Sequence, residues 1–208
     1  YIVFLDSDDY LEARFLSTLS EKIQSISDTR FAIAANGMRY GRYKIATGKN
    51  NLIFRDDKLS GSKCSVNYIG SISGFCISNN LAVSFNENLT FFEDYDLYLK
   101  LLSLRIPIYS FVELIYFYCV SEDSLTGKIS KNNFNLINDA RQIIVRDTIP
   151  DIANPYFNIL ARIQLSRLQS SHGKNIFQFS LLSIAIFFIF PIYFRDFLRR
   201  MYINLNFR

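Results

Sequence analysis

A chain of 208 residues, half of them hydrophobic and 16% aromatic, has apolar material for one full domain with an appendage and is not a disordered polymer. Its net charge of +4 is too thinly spread to make the basic stripe that holds nucleic acid, so no nucleic-acid partner is expected. Cys64, Cys76 and Cys119 are too few and too scattered for a disulfide framework or a zinc site and suit a reduced, cytosolic compartment. The single histidine, His172, lies far from every acid cluster, which leaves Ser-His-Asp and Cys-His catalysis without support.

The chain opens on YIVFLDSDDY. Tyr1 to Leu5 are apolar on both faces, the pattern of a strand in the middle of a covered parallel sheet. Asp6, Asp8 and Asp9 follow at its end, where ligands gather in open α/β sheets. Position 1 is not Met, and a strand of this kind needs a neighbour, so an N-terminal part is expected to be missing. Leu11, Phe15, Leu16, Leu19, Ile23 and Ile26 then recur at helical spacing and predict a helix from about Tyr10 to Ile26. Asp9 and Glu12 have the spacing of a capping box, which gives Asp9 a structural alternative to ligand binding.

FAIAAN, YKIAT and NLIFR are short strand-like pieces that suggest a hairpin or an excursion from the main sheet. SVNYIGSISGFCIS is a further strand candidate, interrupted by Gly70 and Gly74, each of which marks a bulge, a close backbone approach to a ligand, or equally a turn. NENLTFFEDYDLYLKLLSL returns to helical periodicity, with Leu97, Leu101 and Leu104 on one side and Glu93, Asp94 and Asp96 at the helix start. IPIYSFVELIYFYCV predicts a long strand, SEDSLTGKISKNN a polar loop, and the stretch from about Asn133 to Ser170 a helical region broken near Pro150 and Pro155.

The last segment differs in kind. NIFQFSLLSIAIFFIFPIYF, from Asn175 to Phe194, contains no charged residue and has just the length to cross a bilayer core. Lys174 precedes it, and Arg195, Arg199 and Arg200 follow. Pro191, Gln178, Ser180 and Ser183 weaken a spanning helix, and an interfacial helix meeting anionic lipid fits as well. A buried core helix is the bland alternative; membrane contact is the expectation.

Two carboxylates in Asp-x-Asp spacing after a buried strand suit a hard divalent cation, Mg²⁺ or Mn²⁺, which takes oxygen ligands and keeps positions open for phosphate. Such an ion makes a diphosphate a stable leaving group. The second cluster, FFEDYD, places carboxylates at a helix entrance. There one could act as a general base, or all could simply be first-turn acids favoured by the helix dipole.

Together and in this order, the two clusters resemble the family 2 glycosyltransferases with the GT-A fold. The resemblance runs through YIVFLDSDDYL, Phe15-Leu16, SISGFCI, FNENLTFFEDYDLYLKLL and YFYCVSEDSLT, roughly Tyr1 to Thr126. It implies an α/β fold, a partial, Rossmann-like GT-A mixed sheet flanked by helices, over residues 1–126. A helical extension over 127–174 and a membrane-associated tail over 175–208 would follow. It also implies that Asp8 contacts the metal bridging a nucleotide-sugar's diphosphate, that Asp6 lies near the nucleotide or the metal shell, and that Asp94 is the general base. Asp9 and Glu93 would join the donor and acceptor contacts, and Gly74 would let backbone approach the sugar. The acceptor would be a saccharide or a lipid-linked saccharide at the cytoplasmic face of a membrane.

Lys100 stands where many members have Arg, keeping charge but losing the planar fork. The Gln-x-x-Arg-Trp signature of processive synthases is absent, and the chain has no Trp, which favours adding one sugar at a time. The family's nucleotide-binding N-terminal half is not in this sequence, so the expected activity belongs to a parent protein. Two alternatives stand: a Mg²⁺-dependent haloacid-dehalogenase-like phosphatase, which also places Asp-x-Asp after a strand, and a non-catalytic membrane-attached remnant that binds a partner.

Overall fold

The computed structural model describes residues 1–41, 44–45, 57–59, 61–65, 67, 69, 71–119 and 133–172. In chain order the elements are β1 (Ile2–Val3), β2 (Tyr10–Leu11), α1 (Phe15–Ser25), β3 (Ala32–Gly41), β4 (Lys44–Ile45), β5 (Asp57–Lys58) and α2 (Gly61–Ser65). They continue with β6 (Cys76–Ile77), α3 (Glu93–Ser103), β7 (Ile108–Cys119), α4 (Asn133–Asp147), a 3-10 turn at Ile149–Asp151, and α5 (Pro155–His172).

The centre of the sheet is the parallel pair β3–β7. The FAIAAN segment is buried throughout because its two faces meet two different layers. Ala32 and Ala34 pack with Phe75, Tyr98, Leu101 and Ile108 beneath α3, while Phe31, Ile33 and Ala35 pack with Phe15 and Leu19 of α1. This is the period-two alternation of a strand covered on both sides. Midway, the register slips between Ala34 and Asn36, where β7 bulges. The buried Asn36 side chain donates from Nδ2 to the Phe111 carbonyl at 2.8 Å and so satisfies backbone that the bulge takes out of the ladder.

Strand order is β1-β6-β3-β7-β2, with β4 pairing β3 as a hairpin and β5 pairing the first half of β7. The chain is thus a mixed α/β protein with parallel and antiparallel pairs in one sheet. On the far side of α3, Tyr95 and Leu99 pack against Ala140 and Ile144 of α4 and Ala161 and Leu165 of α5. α3 is therefore apolar on two sides, which is why Tyr95 through Leu99 are all buried.

Several sequence expectations are corrected here. The opening strand is not central and not parallel: β1 is two residues long, lies at one end of the sheet and pairs antiparallel with β6. The pairing runs on, since the Phe4 amide donates to the Phe75 carbonyl and the Gly74 amide to the Phe4 carbonyl, both at 2.9 Å. The run is apolar on both faces because Val3 and Phe4 reach opposite layers, yet Tyr1, Ile2 and Leu5 remain exposed. The first helix starts at Phe15, not Tyr10, because Tyr10 and Leu11 pair with Phe117 and Tyr116 of β7 as β2. No capping box forms: the residue before the helix is Arg14, and the Glu12 carboxylate accepts from the Arg14 amide instead.

The SVNYIGSISGFCIS segment is mostly not strand. α2 ends within it, a turn occupies 71–74, and among the described residues only Cys76 and Ile77 join the sheet. Leu104 does not share the buried side of Leu97 and Leu101 but is exposed. The breaks near Pro150 and Pro155 fall where expected, with the 3-10 turn at the first and the start of α5 at the second. The NLIFR strand, Gly70, the 120–132 loop and the 175–208 tail lie outside the described residues. Among the described residues, no helix is long and apolar enough to cross a membrane.

α3 ends in a motif normally built on glycine. The Ile106 amide donates back to the Leu101 carbonyl and the Arg105 amide to the Leu102 carbonyl, with Ile106 and Leu101 in one apolar cluster. Arg105 holds the left-handed position at φ +56. Arg105→Gly is expected to stabilise the fold by about 0.5–1 kcal/mol, the relief of a left-handed side chain less glycine's added unfolded-state freedom. A denaturant midpoint that does not rise would sink this reading.

Candidate functional site

The 4–9 segment leaves β1 beside β6 and reaches β2 beside β7, so it passes β3 on the way. It thereby carries the three opening acids over the sheet to the neighbourhood of α3. Asp6 and Asp8 are exposed, whereas Asp9 is turned inward and only 5% exposed. One Asp9 oxygen, Oδ1, accepts from the Cys119 amide at the end of β7 at 2.8 Å. Its other oxygen, Oδ2, is buried without a hydrogen-bond partner among the described residues. Burial pushes the Asp9 carboxyl above its ordinary range; the nearby Ser73 hydroxyl and the Cys119 amide oppose this, and Asp6 and Asp8 add to it. Asp9 therefore caps no helix; it fastens the acid loop to β7.

Asp6 is gripped from the turn before β6. Its amide donates to the Ser73 hydroxyl at 3.0 Å, and its carboxylate accepts from the Ser71 hydroxyl at 3.2 Å. The turn closes on Gly74, at φ +72, a left-handed conformation that side chains disfavour. A Cβ there would lie 2.8 Å from Cβ of Ala35 and 3.0 Å from the Tyr116 ring. Glycine at 74 thus has an internal reason: the turn must lie flat on the sheet at the bulge.

The second cluster enters on α3. Phe92, the residue preceding the helix, is itself left-handed at φ +63 and gives no side-chain cap. A bulky residue so placed stores about 1–2 kcal/mol of backbone strain, of the kind often found at functional sites. The three acids of the first turn then divide by role. Asp96 is fully buried, accepts from the Thr148 hydroxyl and pairs with Lys100 at 2.9 Å, so it ties α3 to the turn that follows α4. Glu93 is exposed, and Asp94 is partly buried with Oδ1 accepting from the Tyr95 amide at 2.6 Å.

Burial pushes the Asp94 carboxyl up to about 7, with Glu93 and then Asp6 adding repulsion and the Tyr95 amide opposing. The contribution from Asp6 places the two acid clusters within electrostatic reach of each other, although they lie far apart in sequence. Asp8 acts on the other side of the loop, on Asp9 and Cys119. The site so assembled holds a carboxylate poised near neutrality beside an exposed acidic loop, and it can remove a proton from a neighbouring hydroxyl.

Among the described residues, no three His, Cys, Asp or Glu side chains converge as a closed metal cage. Mg²⁺ and Mn²⁺ do not need one, since Mg²⁺ is ordinarily held by one or two carboxylates together with substrate phosphates. The exposed Asp6 and Asp8 and the mutual repulsion within the acid loop fit such a shared site.

Sequence reasoning missed the partners that hold these acids, Ser71, Ser73 and the Cys119 amide, and Tyr98, which in turn bonds the Ser71 carbonyl. The one available signal was Ser-x-Ser-Gly in SISG, two hydroxyls at alternate positions before a glycine. Compared with known proteins, the chain matches no family model, no curated protein and no solved structure.

Proposed function

We propose that the chain provides the metal- and acceptor-binding part of an inverting, non-processive glycosyltransferase of GT-A architecture. It moves a sugar from a nucleotide-sugar donor to a saccharide or lipid-linked acceptor. The observation that carries this reading is the meeting of the two clusters: Ser71 is hydrogen-bonded both to the Asp6 carboxylate and to Tyr98 of α3, and Asp6 adds, after burial and Glu93, to what pushes Asp94 up to about 7.

Asp94 takes the proton from the acceptor hydroxyl. The acceptor oxygen then forms a bond to the anomeric carbon from the face opposite the diphosphate. The carbon–oxygen bond to the diphosphate breaks as it forms, the nucleoside diphosphate leaves with that electron pair, and the configuration inverts. Glu93 lines the acceptor side, and Asp6 lies toward the nucleotide. Asp6 and Asp8 would hold Mn²⁺ or Mg²⁺, which when bound offsets charge on the diphosphate leaving group. The uncharged 175–194 stretch with its flanking Lys and Arg supports work at the cytoplasmic face of a membrane on a membrane-held acceptor.

The test is nucleoside diphosphate release by the full protein from a panel of UDP-, GDP- and dTDP-sugars with Mn²⁺. Release from no donor, with or without acceptor saccharides, overturns the reading. Asp8→Ala is expected to weaken Mn²⁺-dependent nucleoside diphosphate binding about tenfold or more, as loss of a charged ligand does. Equal affinity of wild type and variant across a Mn²⁺ titration removes Asp8 from the metal.

A further inference from the structure

Resting on that reading, we infer that Ser71 is a positioning residue: it sets the direction in which Asp6 presents its carboxylate and fixes that carboxylate to the helix carrying Asp94. Ser71 is a junction. Its hydroxyl donates to Asp6 Oδ2 at 3.2 Å and accepts from the Ser73 amide at 3.2 Å. The Ser71 carbonyl accepts from the Tyr98 hydroxyl at 3.1 Å, and Tyr98 is fully buried one turn along α3 from Asp94.

The chain of contacts therefore runs from the rigid core of α3, through Tyr98 and Ser71, to the Asp6 side chain. Ser73 completes a two-point hold by accepting the Asp6 amide, so both the backbone and the side chain of Asp6 are referred to one turn. An exposed Asp otherwise samples several χ1 rotamers. One hydrogen bond to Oδ2 restricts the choice and turns Oδ1 away from Ser71. Among the described residues, Oδ1 makes no hydrogen bond.

Position matters here because a carboxylate that binds together with substrate phosphates must be aimed before the ligand arrives. Loss of aim then appears in binding rather than in fold. The hydroxyl, not bulk, is the working part, so threonine should replace serine and alanine should not.

The experiment compares wild type, Ser71→Ala and Ser71→Thr in the full protein. Three-bond couplings are read at Asp6, and Mn²⁺-dependent binding is measured for whichever of UDP, GDP and dTDP wild type binds best. Single-rotamer couplings are expected in wild type and Ser71→Thr, and averaged couplings in Ser71→Ala. Binding is expected to weaken about three- to tenfold in Ser71→Ala alone, with the melting temperature nearly unchanged. Couplings that are averaged in wild type, or unmoved in Ser71→Ala, overturn the inference whether or not nucleotide binds. Couplings that respond in a wild type that binds none of the three nucleotides leave the positioning intact and overturn the glycosyltransferase reading instead. A binding loss that threonine does not rescue also overturns the role of the hydroxyl.

Discussion

Asp94→Asn is expected to give a protein that binds donor normally, turns over about 10²–10⁴-fold more slowly, and is more stable than wild type at pH 8. The rate loss is the usual worth of a general base placed at the transferring proton. Asparagine keeps the acceptor for the Tyr95 amide, since its Oδ1 can take that bond as the carboxylate does, so the entrance to α3 stays formed. Binding should be spared because, on the proposed reading, the acid loop and not Asp94 would hold the donor. The stability gain follows from linkage. The Asp94 carboxyl rises from 3.8 to about 7 because its surroundings disfavour the charged form. Its stabilising contribution is therefore complete below pH 3.8 and is lost as pH climbs through about 7. Asparagine is neutral throughout and escapes that loss. The expected gain is about 1–3 kcal/mol at pH 8, after allowing for the part of Asp94 that water reaches, and close to nothing at pH 4. Wild-type kcat/KM should rise with pH through about 7 as the base ionises, and the variant's should be flat. Turnover retained in the variant removes Asp94 from its role; an equal stability difference at pH 4 and 8 shows that the carboxyl is not held neutral.

The features that could be read from sequence are those that local patterns determine. β7 and the alternation of β3 follow from period-two burial, and the acids at the start of α3 follow from where its apolar periodicity begins. Long-range pairing is not encoded that way. YIVFL has the apolar content of a central strand, yet it lies at the end of the sheet, because its partner is fixed by the Phe4–Phe75 and Phe4–Gly74 bonds and not by its own composition. Tyr10 and Leu11 fit a helical stripe as well as a strand, and the choice is made by β7, more than a hundred residues later. Asp9 is the sharpest case. Its spacing to Glu12 spells a cap, but its true donor is the Cys119 amide, which no local rule can reach. At the site, the pairing of the two acid clusters was expected only from the order of motifs. The serine turn that grips Asp6 lay in plain view in SISG but had no meaning until the sheet brought it under the loop.

That turn is also where a single carbon atom should do the most damage. Gly74→Ala is expected to cost about 2–5 kcal/mol, from a left-handed backbone that alanine resists and from overpacking against two neighbours that cannot yield. Neither neighbour is the loose end of a long side chain. Ala35 is a short residue on the central strand, buried against α1 just where the register slips. The Tyr116 ring is buried and lies close against Gly37, where an added Cβ would meet its hydroxyl at 2.7 Å. The new methyl would therefore push the turn away from the sheet. The Gly74 amide bond to Phe4 would go first, and with it the hold of Ser71 and Ser73 on Asp6. Adding Ala35→Gly removes the 2.8 Å contact but not the strain at φ +72, so the double variant should recover about half of the lost stability. Denaturation of the four members of this cycle measures the two parts separately. Donor binding, scaled to the folded fraction, should return with the double variant, because glycine is needed here to seat the turn. Stability that returns without binding would show instead that the 74 position itself faces the sugar, and that its open backbone is part of the pocket.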